Sequence, residues 1–212
     1  MFDLDGTLHE KSATERIIAA EQFEHFALAA LGIELEAWTG AFSEVHNQRI
    51  EKRYVFAELG KRFGLVESLQ AELFSHFDAT VKAKVVAFSG ALALVASCKA
   101  RGWQVGIVTN GRDAFQRSKI SGLGLLPSVD AVVTSAGFGV KKPDPRIFQA
   151  CLASLDVSPA EAAFVGDDFA ADMEPSMALG MLAVWKSDKH SPRVAFSSPS
   201  LDQIQSFLHR LL

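Results

Sequence analysis

The sequence predicts an α/β protein: a parallel sheet covered by helices on both faces, with an all-helical insertion behind its first strand. Three observations predict it. From about residue 86, short apolar runs ("WQVGIVTN", "DAVVTS", "AAFVGDD", "MLAVW") alternate with amphipathic segments. Apolar strands without a polar face are buried on both sides, which is the pattern of a parallel sheet. Between 12 and 85 the pattern is helical and little else. The chain opens "MFDLDGTLHE", an apolar start running directly into two acids.

Taken in order, "MFDLD" reads as a strand whose body is only Met1 and Phe2. "SATERIIAAEQFEHFALAALG" follows, with Ser12 and Glu15 at capping-box spacing, and Ile17, Ile18, Phe23, Phe26 and Leu31 near the helical period. Gly32 is the expected stop. "EAWTGAFSEVHNQRIEKRYVFAELGKRFG" and "LQAELFSHFDATVKAK" continue as helix. In the second half, "GALALVASCKARG", "RDAFQRSKISGLG", "DPRIFQACLASLD" and "DMEPSMALG" are the helices between strands, and "SLDQIQSFLHRLL" closes the chain. The expected division is a core of 1–11 plus 86–212 and a helical insertion of 12–85.

Composition excludes several classes. Of the 212 residues 49% are apolar, enough for a sizeable core, and the formal charge of −4 provides no basic field for nucleic acid. No apolar run reaches the roughly 20 residues that span a bilayer. Acidic residues from Asp3 onward argue against a signal peptide. Cys98 and Cys151 lie far apart with no metal-spaced partner, and are expected as buried thiols of a reducing, cytoplasmic compartment.

In open parallel sheets, ligands bind beyond the carboxyl ends of the strands. There the sequence places Asp3 and Asp5 ("FDLD"), Thr109 and Asn110 ("GIVTN"), and Asp167 and Asp168 ("FVGDD"). Positions i and i+2 of a strand share a side, so Asp3 and Asp5 can face one ligand while Leu4 faces the core. Neighbouring carboxylates repel unless a cation intervenes, and oxygen donors suit Mg²⁺. Gly6 permits a sharp exit from the strand.

"DLDGT" resembles the first motif of the haloacid dehalogenase (HAD) superfamily, in the branch with a helical cap after that motif. "VTN" at 108–110, "KKPDP" at 141–145 and "GDDFAAD" at 166–172 follow in the family's order. The resemblance implies a Rossmann-like sheet of order 5-4-1-2-3 with the Asp3 strand central. It also implies a Mg²⁺-dependent phosphatase acting on a small phosphorylated metabolite. In that reading Asp3 is the nucleophile that becomes an aspartyl-phosphate, and Asp5 is the general acid and base. Mg²⁺ is held by the Asp3 carboxylate, the Asp5 carbonyl and Asp167. Lys142, directly before Pro143, neutralises nucleophile and phosphoryl group. The Thr109 hydroxyl and the Asn110 backbone N–H bind the transferring group, and Asp172 orients the lysine or a metal-bound water. Dehalogenases of the superfamily lack the second acid, so Asp5 favours phosphoryl chemistry. A phosphomutase, a dehalogenase and a catalytically weak binding protein are the alternatives, and the molecule is expected as a monomer or homodimer.

Several polar residues carry plainer expectations. Lys141 is a solvated loop charge, Asp168 a helix cap, Asp144 a turn or helix-start residue, and His9 an isolated exposed side chain. Ala136 and Gly137 stand where the branch carries an acid, and Glu174 and Pro175 where small residues are usual. Pro175 fits within a first helical turn. In the insertion, Arg16, His46, Arg49, Arg53 and Tyr54 are polar, and each is expected as part of a solvated helix face rather than as a residue of substrate choice. The substrate is expected among sugar phosphates, phosphoglycolate or nucleoside monophosphates, with the TNG form leaning toward nucleotidases. The short first strand predicts unpaired backbone groups where the flanking strands begin, each costing about 1–3 kcal/mol if buried and dry. One expectation is therefore that a few apolar residues are lacking ahead of Met1, which leaves the chemistry intact and lowers stability.

Overall fold

A computed structural model describes residues 1–48 and 50–211, with the side chains of Arg53 and Leu211 left out; Arg49 and the Arg53 side chain thus lie outside the described residues. The chain forms two compact units, Lys11–Val86 and Met1–Glu10 together with Ala87–Leu212.

The Lys11–Val86 unit contains α1 (Lys11–His25), a 3-10 turn at Leu28–Leu31, α2 (Leu35–His46), α3 (Lys52–Phe63) and α4 (Glu67–Lys84). Its core is aromatic and aliphatic: Trp38, Phe42, Phe56, Leu59, Leu73 and Phe77 are buried. The Trp38 indole N–H donates to the Ala19 carbonyl at 3.0 Å, so its polar edge is satisfied inside that core. Two expectations are corrected. Helix α1 begins at Lys11, so Ser12 lies inside it rather than capping it, and the helix ends at His25; Gly32 closes the following 3-10 turn instead. Ile17 and Leu31 are exposed, while Ile18 and Phe23 carry the buried stripe.

The other unit carries α5 (Ala91–Ala100), β1 (Gly106–Thr109), α6 (Asp113–Gly122), β2 (Ala131–Thr134), α7 (Ser135–Phe138), α8 (Pro145–Leu155) and β3 (Ala163–Gly166). A π-helical turn at Phe169–Met173 leads into α9 (Glu174–Ala178), then β4 (Leu182–Trp185), β5 (Phe196–Ser197) and α10 (Leu201–Leu211). All strand pairs are parallel: β1 with β2, β3 with β4, and β4 with β5. Phe2 makes parallel bridges to Ile107 and to Val165 and so sits between β1 and β3. The order across the sheet is β5-β4-β3-Phe2-β1-β2. The two-residue β5 is an edge strand that the sequence reading lacked, being too short for any periodicity to mark it.

Val108, Phe164 and Ala183 join Ile147, Phe148, Cys151 and Leu152 of α8 in one core cluster. Side chains alternate along a strand, so Ile107, Val165 and Val184, also buried, point to the opposite face. Both faces are therefore dry, which is why the strands read as unbroken apolar runs. Both cysteines are buried and free. No described helix is long and apolar enough to cross a membrane.

The first strand is as short as expected but is well paired. Phe2 N–H donates to Gly106 O (2.8 Å), Asp3 N–H to Val165 O (2.9 Å), and Val108 and Val165 N–H donate back to Phe2 O and Met1 O (2.9 Å each). The expected orphan groups are met by other means. Val105 N–H donates to the Asp130 carboxylate at 2.7 Å, and the Met1 ammonium donates to Ala163 O at 2.7 Å. A cavity of about 310 Å³ lies at this end, lined by Met1, Phe2, Trp103, Val105, Ala163 and their neighbours.

Candidate active site

At the opposite end of the same strands the polar residues converge. Asp3 and Asp5 leave the Phe2 segment, Thr109 ends β1, and Gly166 ends β3 just before Asp167. Asp3, Thr109, Lys142 and Asp172 are all buried. The Lys142 ammonium donates to Asp3 Oδ1 at 2.5 Å and to Asp172 Oδ1 at 2.7 Å. Asp172 Oδ2 accepts from the Asp168 N–H at 3.1 Å. Asp3, Asp167 and Asp172 each offer a carboxylate oxygen within 4.8 Å of the others.

Gly6 makes this crowding possible. Its φ is +92°, and a Cβ there would collide with the Asp167 carboxylate. Any L side chain at this turn would be strained and would push Asp167 out of the cluster.

The electrostatics follow from three carboxylates facing one ammonium. Burial pushes the Asp3 carboxyl up to about 7; the Asp172 and Asp5 charges add to the rise, against the opposing pull of Lys142. Asp167 is likewise raised to about 7, by its surroundings first and then by the Asp3 charge. Because Asp167 is open to solvent, the repulsion by Asp3 is the cause with the clearer physical basis. Burial alone would lower the Lys142 ammonium, but Asp3 and Asp172 override it and hold it above its ordinary value. Unlike its neighbours, Asp5 is held well below the usual carboxylate range: burial would raise it, but Lys119 and His9 outweigh that.

The donor set fits a hard divalent cation. Both Asp172 oxygens are committed, to Lys142 and to the Asp168 N–H. Asp3 Oδ2 and Asp167 Oδ1 meet only the long contacts of the Thr7 hydroxyl, 3.4 and 3.3 Å, among the bonds described. Excess negative charge on oxygen donors with capacity to spare is the environment that Mg²⁺ relieves. Asp3 and Asp167 are the carboxylates placed to hold it; Asp172 belongs to the lysine.

The remaining candidates are placed as follows. The Asn110 side chain brackets the Lys142 backbone: its Oδ1 accepts the Lys142 N–H (2.8 Å) and its Nδ2 donates to the Lys142 carbonyl (3.2 Å). Lys141 is exposed. Asp168 caps the π-helical turn by accepting from Ala171 N–H, and Asp144 caps α8 by accepting from Arg146 N–H. Pro175 falls in the first turn of α9. Thr134 caps α7, the short helix formed where Ala136 and Gly137 depart from the branch pattern. His9 is a correction: it is buried, with Nδ1 2.6 Å from Asp5 Oδ1. The turn after Gly6 carries it inward, since Gly6 N–H donates to the His9 carbonyl at 3.0 Å. On the insertion, Arg16 and Tyr54 are exposed, whereas His46 is buried and stacked on Phe42.

Four side chains that touch the candidate site residues or the Gly6 turn were not singled out by the sequence pattern. Thr7 bridges Asp3 and Asp167; Gln116 and Lys119 of α6 reach Asp5; Lys186 donates to Gly6 O at 3.0 Å and stands over the Phe88 ring. Lys186 was within reach, because it follows "LAVW" as Asn110 follows "GIVT".

A family model described as haloacid dehalogenase-like hydrolase matches residues 1–178. A phosphoserine phosphatase of Thermus thermophilus is 33% identical over 190 residues, 86% of this chain and 72% of that protein. A phosphoglycolate phosphatase of Cereibacter sphaeroides is 28% identical over all of this chain and 98% of its own length. Among solved structures, a HAD phosphatase from Thermococcus onnurineus superposes with a TM-score of 0.68 at 26% identity, covering 98% of this chain and 95% of that one.

Proposed function

The chain belongs to the haloacid dehalogenase-like hydrolases, as a phosphatase of that family, and on that premise we propose that it hydrolyses a small phosphorylated metabolite through an aspartyl-phosphate on Asp3, with Mg²⁺ as cofactor. The single observation carrying this reading is the buried Asp3–Lys142–Asp172 chain, with Asp167 beside it.

In the first half-reaction an Asp3 oxygen attacks phosphorus and the bond to the leaving oxygen breaks. Asp5, ionised at rest, takes up a proton from water as the substrate binds and gives it to that oxygen, which departs as the alcohol. A phosphoryl dianion arriving beside Asp5 raises its proton affinity, offsetting the partners that keep it ionised at rest. In the second half, Asp5 removes a proton from water and the hydroxide attacks phosphorus. The bond to Asp3 then breaks, releasing phosphate and restoring the carboxylate. Lys142 holds Asp3 in orientation and places positive charge beside the incoming anion. The Thr109 hydroxyl already accepts from Gln116 at 2.6 Å, so its own proton is left to donate to a phosphoryl oxygen. Asp3 and Asp167, with the Asp5 carbonyl, would hold Mg²⁺, which would supply the further positive charge that lets two anions meet.

The test is turnover of p-nitrophenyl phosphate and of phosphoserine, phosphoglycolate and glyceraldehyde 3-phosphate, the compounds in the names of related phosphatases. The expected result is phosphate release that EDTA abolishes, that Mg²⁺ restores and that Asp3→Asn lowers by more than about 10³-fold. Turnover persisting in Asp3→Asn removes Asp3 as nucleophile. Phosphate returned to a sugar instead of released makes the protein a mutase.

A further inference from the structure

We propose that Gln116 and Lys119, on one face of α6, are positioning residues that hold the Asp5 carboxylate and the Thr109 hydroxyl in register for departure of the leaving group; this rests on the acid–base reading of Asp5. Lys119 is buried, and its ammonium reaches both Asp5 oxygens, at 2.9 and 2.8 Å. Gln116, also buried, splits one amide nitrogen between two partners: Asp5 Oδ2 at 3.1 Å and Thr109 Oγ1 at 2.6 Å. Positions i and i+3 of a helix share a face, so both side chains leave α6 in the same direction. His9 closes the remaining side through its 2.6 Å contact with Asp5 Oδ1.

The helix is itself anchored. In its first turn Asp113 accepts the Thr134 hydroxyl at 2.7 Å, tying α6 to the end of β2. Gly111, with φ +144°, lets the chain turn tightly against Gln116; a Cβ there would meet that side chain at 3.0 Å. The two N–H bonds of a planar amide have a fixed angle. Gln116 therefore sets where a group from the Asp3 segment stands relative to one from β1, although the two come from different strands. As an element of stability alone this is a poor arrangement, because burying the Lys119 ammonium against a half-buried carboxylate is costly in desolvation. As a means of fixing a carboxylate to a fraction of an ångström it is well suited, since a misplacement of about 1 Å can cost on the order of 10²-fold in rate.

The reaction offers a readout that separates positioning of the acid from general packing. A p-nitrophenolate leaves without help, whereas phenolate leaves far better when protonated, so only the second substrate depends strongly on where Asp5 stands. The measurement is kcat/KM, which covers steps through alcohol release, for p-nitrophenyl phosphate and phenyl phosphate. Lys119→Met is expected to lower the value for phenyl phosphate about tenfold more than that for p-nitrophenyl phosphate, and Lys119→Arg to recover most of the difference. Gln116→Leu is expected to lower both, phenyl phosphate more, and it carries the test should Lys119→Met not fold by circular dichroism. Asp5→Asn sets the scale of the split. Equal losses on both substrates in the Lys119 and Gln116 variants, with a clear split in Asp5→Asn, overturn the inference alone. No split in Asp5→Asn, or no turnover by the unaltered protein, overturns the acid–base reading beneath it.

Discussion

At the carboxyl ends of β1 and β3, Asp3, Asp167 and Asp172 crowd around one ammonium, while at the opposite end of the sheet a cavity of about 310 Å³ sits below Met1 and Phe2. The same Met1–Asp3 segment serves both ends. One end holds more charge than its surroundings can neutralise; the other holds less apolar volume than its neighbours could cover. Both reduce stability, for different reasons. The crowded charge is relieved only by binding something cationic, so it stores a preference for a ligand. The cavity stores nothing but lost contact. Changes at the first end should therefore move activity and pH dependence, and changes at the second should move stability alone.

The largest effect is expected from Lys142→Met. It leaves Asp3 and Asp172 buried without their ammonium, a loss of about 3–5 kcal/mol for one broken partner of a buried pair, and turnover should vanish with it. Urea unfolding checks the size. Combining Lys142→Met with Asp3→Asn should restore part of the stability, because the second change removes a charge that the first left stranded. Unfolding at an unchanged urea concentration in Lys142→Met would mean that the carboxylates are not crowded.

The next effect is a dependence on pH. Asp3 and Asp167 have carboxyls at about 7 in the fold against an ordinary 3.8. Between those values the folded state holds protons that the unfolded chain has released, so their contribution is complete below 3.8 and is lost as pH rises through 7. Asp5 shifts downward, and its contribution is lost only in acid; Lys142 shifts upward, and its contribution is lost only in strong alkali. Neither changes between pH 5 and 8, but the Met1 ammonium and the His76 ring, both lowered by burial, titrate there and act in the opposite sense. Asp167→Asn removes one of the two raised carboxyls and leaves the opposing groups alone, so the metal-free variant should gain in melting temperature over the unaltered protein as pH rises from 5.5 to 8. Mg²⁺ replaces the protons, so it should raise the melting temperature more at pH 8 than at pH 5.5. An equal rise at both would place the cation elsewhere.

The sequence made the two ends legible to different degrees, and the reason is physical. Strand-end acids announce themselves because a polar residue directly after a dry apolar run has little else to do, and Asp3 and Asp167 come within reach of one another in that way, while Lys142, marked by its place before Pro143, reaches Asp3. The order in which strands pair, and the β5 edge, depend on contacts between distant segments that no local pattern encodes. Gln116 and Lys119 were invisible for a related reason. On "RDAFQRSKISG" they look like the polar face of an amphipathic helix, and only the tertiary placement of Asp5 turns that face inward. His9 was misjudged because nothing local reveals that the turn after Gly6 folds back. Unpaired backbone groups were expected where the flanking strands begin; Asp130 and the Met1 ammonium supply bonds there, and no local pattern marks the cavity beside them.

The smallest effect belongs to the apolar end. Three apolar residues joined ahead of Met1 would continue its segment between the chain leading into β1 and the chain leading into β3, where Val105 and Ala163 line the cavity. The Met1 nitrogen, whose ammonium burial drives below its ordinary value, would become a neutral amide able to keep its bond to Ala163 O. Burying each added side chain gains about 1.5–3 kcal/mol, and ordering each residue costs about 1–2 kcal/mol. A net gain of about 1–2 kcal/mol raises the melting temperature by about 2–8 °C in a chain of this size. A serine extension of equal length should give no rise, and kcat should be the same in all three proteins. A rise accompanied by a changed pH profile of kcat would break the comparison, because it would mean that the two ends of the strand are coupled. No rise at all would show the cavity to be the relaxed shape of this fold, with nothing to gain from filling it.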